Sequence, residues 1–199
     1  MLSELQWLKF AHRFTTLDIN GSGCLELSDY AAIAANMCHA CSVPIDSGVG
    51  LSLRNAYIRA FKALSSGRED IQAVQITLDE FIRFMEMRLA GRPEVFDRGM
   101  KRIAGLVADI CDVNRDGFLD EKDFICFLGS YSIPEGEYAV ALRNLGMRSN
   151  GPLSREDFIS HSRDFYCGDN PLSPGNWLFG DFKKVRTKVV TPARLKSWE

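Results

Sequence analysis

The chain contains no apolar run close to the ~20 residues that a membrane-crossing helix needs, so a bilayer is not an expected partner. It also has almost no charge imbalance. Its 24 basic and 26 acidic side chains leave −2 at pH 7, which argues against nucleic acid as a partner and against a strongly acidic ion reservoir. Histidine is scarce, with His12, His39 and His161 on separate helical stretches. Arg13 and Arg163 lie within two positions of the first and last of these, which predicts exposed faces rather than a base beside a nucleophile. Neither a phosphate-cradling glycine loop nor a zinc pattern is present. No catalytic residues, and no enzyme activity, are therefore expected. Residues 1–7 lack the basic start and apolar run of a secretory leader, so the expected location is cytoplasmic.

What is present is oxygen, at regular spacing. Residues 18–29 and 112–123 each place oxygen side chains at positions 1, 3, 5, 9 and 12 of a twelve-residue stretch, with glycine at 6 and leucine at 8. That is the loop of an EF-hand, in which alternate residues turn oxygens inward around a hard cation. The candidate ligands are Asp18, Asn20, Ser22, Glu26 and Asp29 in one loop, and Asp112, Asn114, Asp116, Asp120 and Asp123 in the other. The carbonyls of Cys24 and Phe118 add a neutral oxygen at position 7, and Glu26 and Asp120 sit where ligation often runs through water. Two calcium sites are expected, with magnesium as a competitor. Both loops end in aspartate, one methylene shorter than the glutamate that grips calcium with two oxygens. The resulting shell is closer to six oxygens, which suits magnesium better than the full loop does.

Helical stripes flank both loops. Phe10, Phe14 and Leu17 lead into the first, and Tyr30, Ile33, Ala34 and Met37 follow it. Ala104, Val107, Ala108 and Cys111 lead into the second, and Phe124, Phe127, Leu128 and Tyr131 follow. EF-hands pair through their eighth positions, so each loop needs a neighbour. Residues 69–80 keep an apolar position 8 (Ile76) and a carboxylate at 12 (Glu80) but lack oxygens at 3 and 5. Residues 146–157 keep Asn150, Gly151, Leu153 and Asp157, but Gly146 replaces the first carboxylate and Arg148 would aim a cation at the metal position. Both are expected to be structural partners that bind no ion.

The expected fold is all-α, with four EF-hands in two paired lobes forming one globule, and very short β-bridges between paired loops. One lobe spans 1–90 and the other 95–167, separated at Gly91 and Pro93. Residues 168–199 form a tail in which Trp177, Leu178 and Phe179 pack over the core and the basic end, from Lys183, frays. The six cysteines read as free thiols. Cys38 and Cys41 form a C-x-x-C, but with no second ligand pair at zinc spacing.

Two intact loops, the wide interval from Asp18 to the degenerate second loop, and the closing segment 169–180 resemble the sarcoplasmic calcium-binding proteins and their bacterial calerythrin-like relatives. Luciferin-binding proteins and calcium-triggered photoproteins are similar more distantly. The resemblance spans about residues 5–182 and implies a compact four-hand globule with an incomplete set of metal sites. The chain departs from the family at the fourth loop, which has lost its first ligands. The implied role is an intracellular calcium, or calcium/magnesium, buffer, with calcium ions as partner and the monomer as the expected state. Two alternatives differ in kind: a sensor that exposes a protein-binding surface, and a carrier of an apolar molecule between the lobes. The six methionines are scattered, which disfavours a dedicated target groove. Trp7, Phe10, Phe14, Phe84, Phe127 and Tyr138 could line a cavity, but a helical core needs the same residues.

Overall fold

A computed structural model describes residues 2–65, 67–91 and 93–184. The first helix, α1 (Glu4–Leu17), starts where Ser3 accepts from the Gln6 amide and Gln6 reaches back to the Ser3 amide, a reciprocal cap. The chain continues through α2 (Leu27–Ala40), α3 (Gly48–Leu64), α4 (Leu78–Gly91) and α5 (Pro93–Cys111). Next come β1 (Phe118–Leu119), α6 (Glu121–Ser130), α7 (Glu135–Asn144), the single turn α8 (Met147–Asn150), β2 (Leu153–Ser154) and α9 (Arg155–Cys167). A 3₁₀ turn, Pro174–Trp177, closes the described part.

The elements are helix–loop–helix units joined in pairs at their loops. Leu25 bridges Ile76, with amide-to-carbonyl distances of 2.8 and 3.0 Å in the two directions. In the second half, β1 and β2 run antiparallel with Leu119 opposite Leu153. All four are position-8 residues, and all four are buried, so the pairing expected from their apolar character is the pairing found. Helix α4 is described to Gly91 and α5 from Pro93.

The two halves share one continuous apolar core. α2 packs on α3 of its own half and on α6 of the other, while α5 lies against α9 of its own half and α3 of the other, so helices from both pairs meet across the seam. Leu178 and Phe179 of the closing segment are buried in that core, and Phe182 is covered as well. The Phe179 ring meets Phe165 edge-on at 4.8 Å between centroids and lies 5.6 Å from Phe127 and 5.5 Å from Tyr131. Such edge-to-face contacts match the positive rim of one ring to the negative face of the next. The basic end expected to fray lies, from residue 185 onward, outside the described residues.

The prediction of exposed faces at His12 and His161 fails at both positions. His12 is 3 % exposed and His161 half-buried, whereas His39 is exposed. Every residue of α1 from Lys9 to Leu17 is buried, polar ones included. The cause is the closing segment, which with α9 covers Lys9, His12 and Arg13. Lys9 Nζ donates to the carbonyls of Asp164 and Gly168 and to Asn176 Oδ1, at 3.1, 2.8 and 3.1 Å. His12 Nε2 lies 2.7 Å from the Phe179 carbonyl. All six cysteines are free thiols; Cys41 and Cys111 approach to 3.9 Å between sulfurs.

Candidate metal centre

In the first loop, Asp18 ends α1 and turns its carboxylate back over the loop. Its Oδ1 accepts from the Ser22 amide at 3.0 Å and its Oδ2 from the Gly23 amide at 2.9 Å. Asn20 Oδ1 accepts from the same Ser22 amide, and Ser22 Oγ donates to the Cys24 carbonyl at 3.0 Å, which brings positions 3, 5 and 7 together. Gly23 makes this bend possible: its φ of +85° lies in the left-handed region that a side chain disfavours. Asp29, the third residue of α2, closes the circle. One of its oxygens accepts from the Ile19 and Asn20 amides and the other from the Glu26 amide. Glu26, at the N-terminal cap of α2, is joined to Asn20 Nδ2 and, from the facing loop, to Gln75 Nε2 at 2.8 Å.

The third loop repeats the arrangement. Asp112 Oδ1 and Oδ2 accept from the Asp116 and Gly117 amides at 3.1 and 2.9 Å, and Gly117 has φ +87°. Asn114 Oδ1 also accepts from the Asp116 amide, and Asp116 Oδ1 accepts from the Phe118 amide. Asp120 caps α6 through the Lys122 and Asp123 amides, and Asp123 returns a carboxylate oxygen to the Asp120 amide. All twelve sequence-proposed positions thus fall on two corresponding loops.

Burial is the largest influence on the two terminal carboxyls, Asp29 and Asp123, and raises both above their ordinary value. Neighbouring carboxylates, Asp18 and Glu26 in one loop and Asp120 and Asp112 in the other, push the same way, while loop amides oppose them. A bound divalent cation would reverse this local balance. Among the described residues no three His, Cys, Asp or Glu side chains gather as a cluster by themselves. The donor set is instead completed by the Asn20 and Asn114 amides, Ser22 and backbone carbonyls, all hard oxygens of the kind that suit calcium or magnesium.

The two degenerate loops have filled the same space differently. Glu80, at position 12 of the second loop, takes a 2.6 Å ion pair from Arg68 and two hydrogen bonds from Thr77. These hold its carboxyl below the ordinary value, the Thr77 amide contributing most. In the fourth loop, positions 2 to 5 wind into α8 instead of arching around an ion. Arg148 does not point where a metal would sit, as its position in the loop suggested; its Nε lies 3.8 Å from Glu121 on α6.

Of the six aromatic candidates, Phe84 and Phe127 border a cavity between the two pairs, while Phe10 and Phe14 are core residues. That cavity also contains Arg13, a residue that sequence reasoning placed on an exposed face. The available signal was its place between Phe10 and Phe14 on the same helix.

Bridged helix–loop–helix units with oxygen-rich loops define an EF-hand protein. Particular relatives narrow the class. The chain is 26% identical over 157 residues to calerythrin of Saccharopolyspora erythraea, covering 78% of this chain and 89% of the relative. It is 23% identical over 177 residues to the luciferin-binding protein of Renilla reniformis, covering 87% and 92%. A solved calcium-binding protein of Streptomyces coelicolor has the same fold, with TM-score 0.66 and 22% identity over 81% of this chain and 98% of that one. No family model matches the chain. The chain has the EF-hand fold and resembles the sarcoplasmic calcium-binding protein and calerythrin family.

Proposed function

We propose that loops 18–29 and 112–123 bind calcium and that the protein acts as a calcium, or calcium/magnesium, buffer. The observation carrying this reading is the matched geometry of the two loops: Asp18 and Asp112 hold the same two amides, at positions 5 and 6. Asp18, Asn20, Ser22, the Cys24 carbonyl, Glu26 and Asp29 would hold one ion, and Asp112, Asn114, Asp116, the Phe118 carbonyl, Asp120 and Asp123 the other. The ion supplies concentrated positive charge at a ring of mutually repelling oxygens, and no chemistry follows from it. Arg68 already neutralises Glu80, and α8 replaces the arch of the fourth loop, which supports two ions rather than four.

The buffer reading is favoured by the closing segment. Leu178, Phe179 and Phe182 already cover apolar interior that a sensor exposes on loading. The shared homology with calcium-binding relatives supports the ion, and the aspartates at position 12 support magnesium competition. Calorimetric titration of chelator-stripped protein, with and without magnesium, tests the reading alongside an apolar fluorescent dye. Two calcium ions, an apparent affinity lowered by magnesium, and little dye response are expected. No calcium uptake would overturn metal binding; a strong calcium-induced dye signal would favour the sensor.

A further inference from the structure

The cavity between the two pairs has a volume of about 450 Å³, within the ~300–1,000 Å³ common for small-molecule sites. Its wall is mostly apolar, with Phe81, Met85 and Met100 among the lining side chains. Its charged members all have one sign. Arg13, Arg59, Arg88 and Arg102 line it, and no aspartate or glutamate does among the described residues.

Arg13 is the unusual one, because it is 4 % exposed. Its Nε donates to the Tyr166 hydroxyl at 2.9 Å and its Nη1 to Thr16 Oγ1 at 3.1 Å. The guanidinium plane lies over two rings, 3.8 Å from the Phe179 centroid and 4.2 Å from that of Tyr131. Every one of these partners is neutral, and no described carboxylate pairs with it. A guanidinium never sheds its charge in a protein, and burying a cation without an anion is costly. Arg59, Arg88 and Arg102, on α3, α4 and α5, likewise form no ion pair among the described residues.

We propose that this cavity binds a long-chain carboxylic acid, with the carboxylate on Arg13 and the hydrocarbon chain along the apolar wall. Two features select this class. Planar guanidinium and carboxylate match as a two-point, charge-assisted hydrogen-bonded pair. An apolar wall rewards each methylene removed from water, at ~0.8 kcal/mol. Arg59 and Arg102, both exposed, and the half-buried Arg88 add a positive field around the cavity, which draws anions and repels cations. An uncharged apolar ligand would fill the volume but leave the buried cation uncompensated.

The test compares dodecanoate with dodecanol by calorimetry on lipid-stripped protein in calcium-containing buffer. Dodecanoate is expected to bind one to one and at least ~10-fold more tightly than the alcohol, the equivalent of ~1.4 kcal/mol. Equal affinities, or no binding of either, would overturn the proposal, and this comparison needs no variant. Arg13→Met then reads the assignment of the headgroup. The acid should fall to the affinity of the alcohol, while the alcohol is unchanged; an acid preference that survives in a folded variant would overturn it. Calcium binding is measured on the same sample, so a failure of the metal reading is seen separately.

Discussion

His161 carries its Nδ1 buried and without a hydrogen-bond partner among the described residues. Burial, against the opposing pull of Asp164 and Asp157, holds this ring below the ordinary histidine value of 6.5. The fold therefore favours the neutral ring. As pH falls through 6.5 the unfolded chain takes up the proton first, so stability is lost from there down to the folded value. Denaturant melts at neutral and mildly acidic pH should show the midpoint falling with acidification, and His161→Gln should flatten that dependence. An unchanged slope in the variant would count against the assignment. The same residue marks the limit of reading single positions. The candidate ligand aspartates could be named from the sequence alone because metal chemistry demands oxygen at fixed intervals, whatever surrounds the loop. Burial of His12, Arg13 and His161 was not, because residues 153–167 positions away from His12 and Arg13 complete their environment.

At the level of elements, pairing of the loops was readable from one apolar residue in each. Leu25 and Ile76 bridge the first two loops, and Leu119 opposite Leu153 joins the other two, so their apolar character betrays their role. Leu119 is fully buried, and Leu119→Ala is expected to cost ~2–5 kcal/mol through lost burial and the void left behind. Val113→Ala is the control: its side chain is largely exposed, and its effect should stay within ~0.5 kcal/mol. Equal losses in thermal or denaturant unfolding would refute the distinction. The helical turn in the fourth loop was not legible. Gly146 at φ +79° leads into it, and its carbonyl accepts from the Asn150 amide at 2.8 Å. Residues 147–150 are compatible with either a loop or one helical turn, and the absence of a ligand-bearing carboxylate leaves the local backbone bonds to decide.

At the scale of the whole molecule, the two lobes and the closing segment meet at Phe179. Its ring contacts Phe127, Tyr131, Phe165 and Tyr166, and its carbonyl faces His12. Phe179→Ala should destabilise the protein by ~3–5 kcal/mol, and near-ultraviolet circular dichroism should lose part of its aromatic signal as several rings are freed together. A stability change under ~1 kcal/mol would show the segment to be a loose cover. That an apolar tail would pack inward was readable from its composition; that it would seat on polar α1 was not. The bonds of Lys9 to Asp164, Gly168 and Asn176 have a consequence for how the protein is made. They join positions 155, 159 and 167 residues apart, so during translation Lys9 lacks its full set of partners until Asn176 has left the ribosome. Until then the Lys9 ammonium is without the oxygens that hold it in the interior, whereas Phe14 of the same helix already has Phe81 of α4 to pack on.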